Sequence, residues 1–99
     1  MASFDSLTIG ATGVQVTAGA SSATVAIPND AQGNRARVVR LQSTGNAYVR
    51  PGFSGTTCTV NDALLGANQA LVLNVKPFTH IAYLQETAGA KISIVPVEF

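Results

Sequence analysis

Histidine, cysteine and carboxylates carry most protein chemistry, and this chain has few of them: one His, one Cys and five Asp or Glu among 99 residues. Nucleophilic catalysis needs a nucleophile, a base in reach and a group that orients the base. His80 would have to serve every such scheme. It lies between Thr79 and Ile81 in an alternating run, where a structural or interface histidine is the expected reading. Gly52-Phe53-Ser54-Gly55 lacks the G-x-S-x-G spacing and no helical pattern follows it, so it reads as a loop. Cys58, inside Thr57-Cys58-Thr59-Val60, reads as a half-buried strand cysteine and not as a thiolate partner of His80. Asp5, Asp30, Asp62, Glu86 and Glu98 are scattered through turns and the two ends, and no spacing pairs them for acid–base work. Asn29-Asp30 and Asn61-Asp62 have the oxygen-rich look of half a calcium loop, but Asx residues in turns more often bond their own backbone. One cysteine and one histidine cannot close a zinc site. No catalytic, cofactor-binding or metal-binding residue is assigned, and an enzyme is the least favoured class.

The arginines form the one charge pattern of interest. Arg35, Arg37, Arg40 and Arg50 concentrate on and around one candidate hairpin. Nucleic-acid binding is disfavoured, because proteins that hold phosphates show a strong basic excess and the pI here is about 7.9. Arginine is also favoured at protein interfaces, where its planar fork pairs with carboxylates or carbonyls, so the patch reads either as a docking face or as a solvated strand face. A glycan-binding use lacks aromatic platforms: the chain has no Trp and only Tyr48 and Tyr83.

What surrounds these residues points to assembly. Only 11% of the chain is charged and the net charge is +1, whereas ordinary soluble domains carry about 25% charged residues. The surface must be covered by small neutral side chains, with little repulsion to oppose association. The length accommodates one domain, residues 1–99. No apolar run approaches the roughly 20 residues of a membrane span, and Met1-Ala2-Ser3-Phe4-Asp5 does not begin a signal peptide, so a soluble, unexported chain made in a reducing cytosol is expected. Cys58 alone cannot form an internal disulfide.

The elements that must position these groups read as strands. Apolar and β-branched residues alternate with polar ones in short runs, with no sustained helical period. Strands are expected over residues 7–9, 13–18, 23–27, 36–42, 47–50, 56–60, 70–75, 78–85 and 91–97, with one weak helical turn at 61–65 capped by Asn61 or Asp62 and ended by Gly66. Turn residues separate them, which is the signature of an antiparallel β-sandwich or small barrel. Residues 37–42 and 47–50 form the clearest hairpin across Ser43-Thr44-Gly45-Asn46, with Val39 and Leu41 inward. Pro96 places the last strand at a sheet edge or at the end of its pairing. Residues 1–12, anchored by Phe4, Leu7 and Ile9, read either as a first strand or as an extended arm that orders on a partner.

Four stretches carry a resemblance: residues 40–50 (Arg40 to Arg50), 66–73 (Gly66 to Leu73), Thr79-His80-Ile81-Ala82, and 92–98 (Ile92 to Glu98). In strand spacing and turn composition they resemble small β-rich proteins of tailed bacteriophages that associate with the capsid, several of which decorate its exterior. The resemblance spans about residues 36–98, and the first 35 or so carry no such motif. It implies a jelly-roll-like sandwich of about eight short strands. It also implies a structural virion protein that binds the outer capsid surface and cements neighbouring capsomers. The partners would be the major capsid protein and further copies of the chain, as a homodimer or homotrimer. The contacts expected are Phe4, Leu7 and Ile9 of the first segment, Arg37, Arg40 and Arg50 of the hairpin, and Phe99 after the last strand. A head–tail connector or tail protein, or a glycan-binding host-attachment module, is the alternative.

Overall fold

The computed structural model describes residues 8–9, 13–30 and 32–98. Nine strands follow in order: β1 (Thr8–Ile9), β2 (Val14–Thr17), β3 (Ala23–Ala26), β4 (Val38–Ser43), β5 (Ala47–Gly52), β6 (Ala63–Leu65), β7 (Ala70–Asn74), β8 (His80–Gln85) and β9 (Lys91–Glu98). They pair into two antiparallel sheets of four, β2-β9-β4-β7 and β3-β8-β5-β6, with β1 extending the first along β9. From β2 onward every connection crosses from one sheet to the other except β5 to β6, which pair side by side. This strand order is that of the eight-stranded jelly roll. The expected all-β, jelly-roll-like sandwich is the fold observed.

The inner faces follow the alternation. Val39 and Leu41 of β4 and Ile92 and Ile94 of β9 meet Ala47 and Val49 of β5, Leu65 of β6 and Ile81 and Tyr83 of β8, all buried. Val14, Val16, Val25, Leu71 and Leu73 pack around this cluster from the edge strands. Burial of this apolar surface contributes about 25 cal/mol per Å² and holds together sheets that share few backbone bonds.

Three sequence-based expectations are corrected. First, β4 and β5 are not a hairpin: β4 pairs with β7 and β9, and β5 with β6 and β8. The 43–46 turn is an arch from one sheet to the other, and Val39 and Leu41 face Ala47 and Val49 through the core. Buried Ser43 makes the arch possible, because its hydroxyl donates to the Gly45 carbonyl and so satisfies itself inside the sandwich. Second, residues 56–60 are a loop, held by Asp62 Oδ2 accepting from the Thr59 N–H at 2.7 Å. Third, residues 63–65 are strand β6 and not a helical turn, because Tyr48 and Leu64 pair across the edge of β5.

Of the two readings of Pro96, the second holds: β9 is an internal strand, and Pro96, opposite Val39, is the last residue of its pairing with β4. The Lys91 carbonyl accepts from Thr44 N–H toward β4 (3.0 Å) and the Ala90 carbonyl from Ala18 N–H toward β2 (2.7 Å). By alternation the Pro96 nitrogen points to the β1/β2 side. There β9 has a gap in its pairing, between Ile94, partner of Val14, and Val97, partner of Ile9. The missing donor therefore interrupts no ladder bond. Gly13 passes so close to β9 at this gap that a Cβ would collide with the Ile94 carbonyl.

Candidate interaction surface

The outer faces of the two sheets differ. On the β3-β8-β5-β6 sheet the 53–62 loop folds back across the strands. Cys58 N–H donates to Ser22 Oγ (2.7 Å), Thr24 Oγ1 donates to the Ser54 carbonyl (3.3 Å), and Arg50 meets Asp62 at 3.9 Å. These contacts run from β5 to the chain just before β3. They leave Ala82 fully buried, although Ile81 and Tyr83 on either side of it face the core. The opposite outer face shows Gln15, Thr17, Arg40, Gln42, Val72, Ser93 and Val95, and no described loop hydrogen-bonds across it.

Among the described residues, no edge strand carries a charge. The edge strands read TI, VQVT, ATVA, ALL and ALVLN, without one charged residue, whereas Arg40, Arg50, Lys91 and Glu98 lie on internal strands. Natural sheets ordinarily guard open edges with lysine, proline or bulges, because an unpaired row of N–H and C=O groups templates another strand. The chain from Gly13 to Asn29, which carries β2 and β3, is one such uncharged stretch, and the side formed by β6 and β7 is another, set apart by its exposed large apolar groups. From Ala63 to Val75 no residue is charged. Leu64 is 55% exposed on β6, and Val60 just before it is 64% exposed. A contiguous neutral side with exposed large apolar groups has the character of a contact surface.

The arginines expected to act together are separated by the fold. Arg40 projects from the open face of the first sheet, flanked in register by Val72 and Val95. Arg50 is on the other side of the sandwich, beside Asp62. Arg37, exposed, precedes β4 and lines a cleft with Arg35 and Lys76. Ile9 pairs with Val97 through β1, which places the backbone of that segment in the sheet. Phe4, Leu7 and Phe99, and most of the 1–12 segment, lie outside the described residues. The β6–β7 side was missed as a site. Its signal, the charge-free run from Ala63 to Val75, stands in the sequence.

The chemically capable side chains are otherwise engaged. Burial, reinforced by the neighbouring Asp62, pushes the Cys58 thiol up to about 11, so it is protonated at neutral pH. The charged groups acting on it are Asp62 and Arg50, not His80. His80 shares a hydrogen bond with Thr79 Oγ1 at 2.8 Å through Nδ1. Asp30 Oδ1 accepts from the backbone N–H groups of Gln32 and Asn34, each at 3.0 Å, which is the turn role that its neighbour Asn29 suggested. Among the described residues, no group of three or more His, Cys, Asp or Glu is placed to hold a metal ion.

Comparison with protein-family models, curated proteins and solved structures found no match to the chain.

Proposed function

We propose that this chain is a structural protein of a tailed-phage virion, made in the host cytoplasm and bound to the outside of the capsid, where it cements neighbouring capsomers. It acts without catalysis, through contacts with the major capsid protein and with further copies of itself. The observation that carries this reading is the row of uncharged sheet edges, above all the β6–β7 side with Leu64 and the Leu71 to Leu73 strand. A monomer that diffuses freely gains from charged edges, whereas a subunit seated in an assembly does not need them. The jelly-roll order suits this use, since two stiff sheets present long edges at fixed angles. A shell repeats the same contact many times, so a modest interface per copy sums to a large stabilisation against internal pressure.

Quantitative mass spectrometry of purified virus particles containing the chain tests the reading. On the order of hundreds of copies per particle supports decoration of an icosahedral shell. A stoichiometry on the order of ten points to a connector or tail part, and absence from the particle contradicts the proposal.

A further inference from the structure

Three of the six Lys and Arg residues of the chain converge on one open cleft of about 230 Å³, between the β3–β4 and β7–β8 connections. Arg35 and Arg37 come from the first connection and Lys76 from the second, and Ala36, Pro77 and Phe78 complete the lining. Its base is firm. Val75 N–H donates to the Arg37 carbonyl at 2.7 Å and ties the two connections together, while Ala36 N–H donates to the Pro28 carbonyl at 3.1 Å. Phe78 packs against the core and meets Phe53 edge to face, with ring centroids 5.7 Å apart.

Among the described residues, no carboxylate pairs with these cations. Among the described residues the one ion pair is Arg50 with Asp62, on another face. Asp30, on the same connection as Arg35, has its Oδ1 engaged by its own loop. Three like charges with no carboxylate among the residues lining the cleft create a positive potential that an anionic group would relieve. The floor is apolar, and the two guanidinium forks suit planar carboxylates in two-point contact.

We propose that this cleft binds an acidic peptide segment of a partner protein, with carboxylates on Arg35, Arg37 and Lys76 and an adjacent apolar side chain on Phe78. A cleft of this volume admits one or two side chains. A nucleic-acid strand needs a longer track of cations and stacking rings, and Arg40, Arg50 and Lys91 lie on other parts of the molecule and do not extend one. The inference requires a protein partner but not a virion, so it stands or falls separately from the proposed function.

The test is titration of the purified chain with a short fluorescein-labelled peptide of alternating glutamate and phenylalanine, read by anisotropy and by amide shifts in ¹⁵N spectra. Saturable binding is expected, with shifts confined to Arg35, Arg37, Lys76, Phe78 and their neighbours, and weakening as salt rises from about 0.05 to about 0.5 M. The Arg37→Glu/Lys76→Glu double variant, at two exposed positions, should bind at least about tenfold more weakly. Lys91→Glu, at the opposite end of the sandwich, should bind as the parent does. Equal binding by the double variant, absence of saturable binding, or equal binding of a glutamine-for-glutamate peptide would overturn the proposal. Tighter binding of a labelled oligothymidylate at the same residues would also overturn it, in favour of a phosphate backbone.

Discussion

The two ends of the sandwich are built differently. At one end the β2–β3, β4–β5, β6–β7 and β8–β9 connections meet and are stitched together by short polar side chains. Asn46 Oδ1 accepts from Ala67 N–H (2.8 Å), its Nδ2 donates to Glu86 Oε1 (3.1 Å), and its carbonyl accepts from the N–H groups of Glu86 and Thr87. Thr44 exchanges bonds with Lys91, through its own N–H and through its hydroxyl. At the other end the β3–β4 and β7–β8 connections are joined by backbone bonds alone, Val75 N–H to the Arg37 carbonyl and Ile27 N–H to the Thr79 carbonyl, and leave three cations facing solvent. The first end is organised to hold the two sheets in place, and the second to meet something else. Polar groups spent on internal bonds stabilise the fold, and polar groups left over mark where function can reside.

The comparison depends on a core common to both ends, so the largest effect should come from breaking it. Leu41 is fully buried between Ile94 and Leu71 on neighbouring strands. Leu41→Ala should cost about 3–5 kcal/mol, read by urea unfolding. A loss below about 1 kcal/mol would mean that the sheets are not packed as described.

The open end has one further packed feature, the 53–62 loop over Cys58. With the thiol raised from 9.0 to about 11, its thiolate fraction at pH 8 is about a hundredfold below that of an unperturbed cysteine. Iodoacetamide should therefore modify the folded protein slowly, at a rate that climbs with pH through the window from 9 to about 11. The raised value favours the neutral thiol in the folded state, so the stability this group contributes is present below pH 9 and is lost as pH rises toward 11. Alkylation at pH 8 as fast as in the unfolded chain would show that the loop does not cover the sheet.

At the stitched end, Asn46→Ala removes the acceptor for Ala67 N–H and the donor to Glu86. A loss of about 1–2 kcal/mol is expected in the same unfolding experiment. The smallest effect belongs to the cleft: Arg37→Ala and Lys76→Ala should each shift stability by less than about 0.5 kcal/mol. If the cleft variants cost as much as Asn46→Ala, the contrast between the ends disappears.

Much of the architecture was legible in the chain because strand alternation is local. The inward positions of Val39, Leu41, Ile92 and Ile94 follow from period two alone, and the resemblance implied a jelly-roll-like sandwich without its strand order. Sheet membership was not legible. Two alternating segments around Ser43-Thr44-Gly45-Asn46 bury the same residues whether they lie side by side or face each other across a core, so nothing local separates hairpin from arch. The two readings of Pro96 could not be separated for a related reason. A missing N–H disqualifies one side of a strand, and its own sequence does not reveal whether that side has a gap. The β6 strand is too short to show a period, and the polar caps before it imitate a helix start. Of the interaction surfaces, the charge-free run of the β6–β7 side is legible in the sequence, but residues 6–29 form a longer one, and the exposure of Leu64 that distinguishes the β6–β7 side needed the fold. The meeting of Lys76 with Arg35 and Arg37 required the crossing of β3–β4 and β7–β8 at one end.

The most direct measurement of the central claim is co-sedimentation of the chain with phage shells stripped of it, comparing the parent with a Leu64→Lys/Ala70→Lys variant. Both substitutions fall at exposed positions of the β6–β7 side. They place charge on edges that now have none, without disturbing the core. A folded variant, judged by an unchanged far-ultraviolet spectrum, that no longer sediments with shells is the predicted result. Undiminished sedimentation of that folded variant would contradict the assignment of this side as the contact surface.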